Sequence, residues 1–147
     1  MMKHIFTPLL KLMMGTLPAW ATLGEYEGSV TLDQQYIRGE DRQEVRQGYH
    51  LHQITTPDGS FVREYVTPEG KVFGISWQGR SLPNLQQLLG SYMTNLQQAE
   101  KRTVPRRSLV VRTDTFVFMS VGHLGTFQGH AYVPGLIPNN LRPEVVQ

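Results

Sequence analysis

Two connectors of similar composition, "TPDGS" at 56–60 and "TPEGK" at 67–71, constrain this chain more than any other feature. Each sets a proline, an acidic residue and a glycine in that order. Proline presets φ at the first turn position, and glycine supplies the positive φ that closes a three-residue hairpin loop. The flanking runs, 49–55, 61–67 and 71–77, alternate in the manner of strands. Three such runs around two matching turns predict a three-stranded antiparallel meander.

Loop type also sets register. The first loop should place Thr55 opposite Phe61, Gln53 opposite Arg63, His52 opposite Glu64 and Leu51 opposite Tyr65. The second should place Thr67 opposite Lys71, Tyr65 opposite Phe73, Arg63 opposite Ile75 and Phe61 opposite Trp77. Successive side chains on a strand point to opposite faces. One face then gathers Leu51, Phe61, Tyr65, Phe73, Ile75 and Trp77 around Arg63, which can stack on an aromatic ring. The other carries Ile54, Val62, Val66 and Val72 with His50, His52, Glu64, Gly74 and Ser76. Arg63 and Glu64 therefore point apart and do not pair with each other. Burying one large apolar side chain stabilises by roughly 1.5–3 kcal/mol. The aromatic face is thus the expected core, with Arg63, Tyr65 and Trp77 in structural roles.

The helix to cover it follows directly. Leu85, Leu88, Leu89, Tyr92, Met93 and Leu96 recur at helical spacing and form one apolar stripe. Pro83 suits a first turn, and Asn84 with Gln87 can form a cap. Gly90 sits inside the stripe at a cost of about 1 kcal/mol relative to Ala; either a close approach to the sheet or a bend accounts for it. Beyond the basic loop "KRTVPRRS", the runs "LVVRT", "TFVFMSV" and "TFQGHAYV" predict three more strands, and a tail with Pro134, Pro138 and Pro143 predicts little regular structure. The expected fold is α+β: an antiparallel sheet of two three-stranded groups, with one main amphipathic helix packed on a face. A single domain is expected over 49–147.

The segment 22–48 has few apolar residues and the charged cluster "RGEDRQEVR", so it reads as a mobile leader or a loose edge element. "SVTLD" within it has a strand-like look. Before it, a basic start at Lys3 and His4, a mostly apolar run to Pro18 and the small residues of Ala19-Trp20-Ala21 match a signal peptide cleaved after Ala21. The run is too short for a permanent membrane span. Of the 14 basic residues, Lys3 and Lys11 fall in this segment and none of the 12 acidic ones does. The remaining chain is neutral, and bulk charge gives no case for nucleic acid as a partner. With no cysteines, thiolate metal sites, disulfides and a cysteine nucleophile are excluded.

"VREYV", "VFGISWQG", "LP", "LLGSY" and "GHLGTFQGHAYVP", with Leu23-Gly24 after the signal, resemble the bacterial family filed as domain of unknown function 2844. The resemblance implies an exported protein of Gram-negative bacteria and implies no activity. The chain departs from that pattern at Arg80, Leu124, Gly125 and His130, where Pro, Met, Arg and Arg are expected.

Several residues carry possible chemistry. His52 and Glu64, cross-strand neighbours, form with His123 the candidate polar site of a small periplasmic enzyme, although "GISWQG" around Ser76 is no nucleophile elbow. His50, His52, His123 and His130 are the donors for an alternative histidine metal-binding module, at a spacing that matches no known ligand motif. Lys101, Arg102, Arg106 and Arg107 form a basic loop whose simplest role is solvation. No cofactor is implied. The leading expectation is an exported, non-enzymatic protein, periplasmic or secreted, that binds an envelope component or another protein through the half-apolar sheet face and the loops at Arg80 and 122–129.

Overall fold

The structure is a computed structural model that describes residues 23–100, 107–123 and 125–147. The expected signal peptide and all but Arg107 of the basic loop's four cations lie outside the described residues. The strands are β1 (Glu40–Arg46), β2 (Tyr49–Thr55), β3 (Phe61–Val66), β4 (Val72–Gly79), β5 (Ser108–Arg112), β6 (Val117–His123) and β7 (Thr126–Tyr132). The helices are α1 (Gly28–Ile37), α2 (Leu85–Leu89) and α3 (Met93–Glu100). All strand pairs are antiparallel, in the single order β1-β2-β3-β4-β7-β6-β5.

The fold is therefore α+β with one antiparallel sheet. The expected division into two three-stranded groups gives way to one seven-stranded sheet, because β4 pairs with β7 and the charged segment adds β1 at the edge. "SVTLD" is helical, within α1. Of the two readings of the N-terminal segment, the edge element corresponds to β1, and main-chain bonds tie the residues before α1 to the sheet: Gly24 N to Val72 O at 2.8 Å, Glu27 N to Gly70 O at 2.8 Å and Val72 N to Glu25 O at 2.9 Å. Leu23 and Val30 enter the core behind them. Backbone pairing holds what the apolar content of this segment does not.

The β2–β3 register is the one expected from the first loop. The second loop also closes as expected, with Thr67 N donating to Lys71 O at 2.8 Å. One residue later the ladder slips: Val66 faces Val72, but Tyr65 faces Gly74. Phe73 is the extra residue of a β-bulge. From there Arg63 lies opposite Ser76, Glu64 opposite Ile75 and Val62 opposite Trp77. The slip transfers Ile75 and Trp77 to the face of Ile54, Val62, Val66 and Val72. This face, and not the aromatic one, is the main core, and the helices cover it.

Leu88, Leu89 and Leu96 are buried there, with Leu85, Tyr92 and Met93 packed against them, so the whole expected stripe is used. The single expected helix is broken at Gly90, whose φ of 51° and ψ of −122° suit glycine and end α2 in a bend. The tail from Pro134 forms two short 3-10 turns and crosses the opposite face. There Val146 joins Leu51, Tyr65 and Phe73 in a second, smaller core.

Candidate functional site: a buried acid–histidine network beside an apolar cleft

Glu64 stands on β3 between His52 of β2 and Ile75 of β4, directly beneath the helices. It is fully buried, and no hydrogen-bond donor among the described residues reaches either carboxylate oxygen. It faces the carboxyl of Asp33 on α1, which is also fully buried. Burial first, and the neighbouring Asp33 charge second, push the Glu64 carboxyl well above the ordinary glutamate range. Burial pushes Asp33 up to about 6, opposed by the Gln87 amide, whose Nε2 donates to Asp33 Oδ1 at 2.8 Å. Two carboxyls in one dry site cannot both ionise cheaply, so the two titrate together and both are displaced upward.

A second chain of polar groups adjoins this pair. His52 Nδ1 lies 2.8 Å from Asp41 Oδ2 on β1, and Nε2 lies 2.9 Å from Glu27 Oε1 at the start of α1. His50 Nδ1 is 3.6 Å from the same Glu27 oxygen. The bond to His52 is the main cause that lowers Glu27 below its ordinary value. His52 is 5 % exposed at its side chain, which leaves a reacting group no path to it.

The residues singled out in the sequence separate clearly. His52 and Glu64 are neighbours, as the first loop dictates. His123 ends β6, four strand positions from β2, so about 19 Å of sheet lies between their backbones at the usual strand spacing. The three cannot act on one group. The four histidines do not converge either: His130 is paired with Ser76 and Met119 on the tail-covered face, with β2 and its two histidines three positions away. Among the described residues no three His, Asp or Glu side chains are placed to hold a metal ion. The half-apolar face expected to recognise a partner is the core itself. Asp33, Glu27, Asp41 and Gln87 escaped sequence reasoning. Asp33 had a signal, since helical spacing puts it on the same side as Val30, but "SVTLD" reads as a strand.

Beside the network opens a cleft of about 430 Å³. Its walls are the end of α1 (Tyr36, Ile37), the β2–β3 hairpin (Thr56 to Val62), β4 (Trp77, Gln78) and the start of α2 (Asn84, Gln87, Leu88). Asn84 caps α2 by accepting from Gln87 N at 3.1 Å, and its Nδ2 donates to Tyr36 Oη at 2.8 Å across the mouth. Two lining side chains hold buried polar atoms with no partner, Trp77 Nε1 and Gln87 Oε1. Among the described residues the lining has no Lys, Arg or His. Its one carboxylate, Asp58, is already bound by the Thr56 hydroxyl and by Ser60 N at 3.0 Å. Those bonds, the Thr56 one foremost, hold its carboxyl below the ordinary range.

On the other face a shallower depression of about 380 Å³ lies among Arg63, Met119, Gln128, His130 and Gln147. Arg63 packs 4.4 Å over the Phe61 ring and donates to Gln53 Oε1 at 2.8 Å. Tyr65 Oη and Ser76 Oγ donate to the Gln147 backbone oxygen at 2.7 and 2.6 Å. The Arg63, Tyr65 and Ser76 donors of this face are committed to the chain itself.

No described helix is long and apolar enough to cross a membrane. No curated protein and no solved structure matches the chain. A family model described as "Protein of unknown function (DUF2844)" matches residues 19–146, which hold every motif of the resemblance drawn from the sequence. The chain belongs to the DUF2844 family.

Proposed function

We propose that this is an exported, non-enzymatic binding protein of the periplasm or cell exterior, and that the cleft between α1, α2 and the β2–β3 hairpin takes a small neutral component of the envelope. The observation that carries the reading is that two side chains lining the cleft, Trp77 and Gln87, each hold a buried polar atom, Nε1 and Oε1, without a partner among the described residues. A buried polar atom without a partner costs roughly 1–3 kcal/mol. A ligand that parts the wall enough to bring an acceptor to the indole and a donor to the Gln87 amide recovers that cost, and an amide group offers both. Apolar walls around a few fixed polar atoms are the usual form of a small-molecule site, and its volume lies within the usual range. With no cation among the described lining residues, and with Arg80 beside Asp58 already offset by that carboxylate, an anionic ligand finds little counter-charge.

Trp77 reports directly on the site, because the other tryptophan, Trp20, lies in the expected signal peptide. Tryptophan fluorescence of a chain beginning at residue 22 should change saturably with a neutral N-acyl amide. A fatty acid of equal length should bind about tenfold more weakly or worse, a difference of about 1.4 kcal/mol. Ser81→Phe, at the exposed rim, should block the change. Equal binding of the two ligands would remove the charge argument, and unaltered binding in Ser81→Phe would move the site elsewhere.

A further inference from the structure

We propose that one proton shared by Asp33 and Glu64 latches α1 onto the sheet, and that losing it as pH rises releases α1 from the wall of the cleft. The inference stands on the attachments of α1 and does not need the cleft to hold a ligand.

Apolar contact holds α1 weakly. Val30 is its buried apolar residue, Ile37 is partly buried, and Leu32 and Tyr36 are 40 % and 53 % exposed. Its other ties are polar. Asp33 meets Glu64 of β3 and Gln87 of α2, Glu27 meets His52 and His50 of β2, and Tyr36 meets Asn84. Asp41 of β1 adds its negative charge to the surroundings of Glu64. Lys71 of the β3–β4 loop sits 3.7 Å over the Tyr26 ring at the entry to α1. Around Glu64 itself stand the carboxyls of Asp33 and Asp41, both negative when ionised, and its cross-strand neighbour His52, which is bonded to Asp41 and Glu27. A protonated Glu64 can donate to Asp33, whose Oδ2 otherwise lacks a partner. An ionised Glu64 has no donor among the described residues and faces a carboxylate.

The sign follows from linkage. The folded chain holds protons on Glu64 and Asp33 that the unfolded chain releases near the ordinary values of 4.5 and 3.8. Their contribution is complete below those values and is lost as pH rises through the raised values, about 6 for Asp33 and well above the ordinary 4.5 for Glu64. Glu27 works the other way. Its contribution is present above its ordinary range and lost as pH falls. Two ties of opposite sign hold α1 best under mildly acidic conditions, and the Asp33–Glu64 tie is the one that fails on the alkaline side. Because Tyr36 and Ile37 form one wall of the cleft and Gln87 forms another, its failure also loosens the cleft.

Amide hydrogen exchange of the full folded chain between about pH 5 and about pH 8, corrected for intrinsic exchange, tests this. Protection of α1 should fall by up to about tenfold per pH unit, the limit for one proton, while β3 and β7 keep theirs. Glu64→Gln, which keeps the shape and gives Asp33 a permanent donor, should flatten that dependence. A flat profile in the unaltered chain, or an unchanged slope in Glu64→Gln, overturns the proposal. Should the variant not fold, the infrared spectrum of the unaltered protein decides. A protonated carboxyl band persisting at about pH 6, where ordinary Asp and Glu are ionised, supports the shared proton, and its absence overturns it.

Discussion

Arg63 and Glu64 are neighbours in the chain and enter two different environments. Arg63 emerges on the tail-covered face, where it lies over Phe61, bonds Gln53 and reaches the Gln147 backbone. Glu64 enters the helix-covered face, where nothing donates to it. On the tail side, polar atoms have found partners within the chain: Tyr65, Ser76 and Gln147 satisfy one another. On the helix side, oxygens of Asp33, Asp41, Glu64 and Gln87 and the Trp77 nitrogen have no partner among the described residues. Unsatisfied buried groups are expensive and persist where they serve a purpose. The contrast is the ground for proposing a binding role on the helix side and a structural one on the tail side.

Substitutions on each face sharpen or break this contrast. The largest effect should come from Trp77→Ala, which empties a core position against Phe118 and over Gly129. It should cost about 3–5 kcal/mol in urea unfolding. Gly74→Ala tests the tail face alone. Its new methyl would fall 2.6 Å from Val146 Cγ2, and a loss of about 1–3 kcal/mol with a displaced tail is expected. If the same change alters ligand binding, the two faces are coupled and the contrast fails. Asn84→Ala removes the α2 cap and the tie to Tyr36, for about 1 kcal/mol of stability and a measurable loss of affinity at the cleft. Smallest should be Arg63→Ala, at about 0.5–1 kcal/mol by the same unfolding assay and with no effect on the cleft.

The sequence reveals much of the sheet and little of the site, for physical reasons. Turn chemistry is local, so "TPDGS" and "TPEGK" are readable, and the pairings Gln53–Arg63 and His52–Glu64 follow from the first. The opposite orientation of Arg63 and Glu64 needs only period 2. The bulge at Phe73 is not local in origin: it lets Phe73 join the small core that Val146 completes from 73 residues away. That one slip exchanged the faces of Ile75 and Trp77, and with them the core. The N-terminal segment was missed because hydrogen bonds to Gly70 and Val72, rather than apolar content, fix it. Asp33 and Glu27 could not be placed beside Glu64 and His52 until that segment was docked. His123 could not be separated from them until β4 was seen to pair with β7.

The most direct test of the helix-side site is a two-dimensional NMR titration of the folded chain with a neutral N-acyl amide. The account predicts saturable shifts at the Trp77 indole N–H and the Gln87 side-chain amide, with the Arg63 Nε–H and the His130 ring unmoved. Shifts confined to Arg63, His130 and Gln147, or none at Trp77 and Gln87, would contradict it.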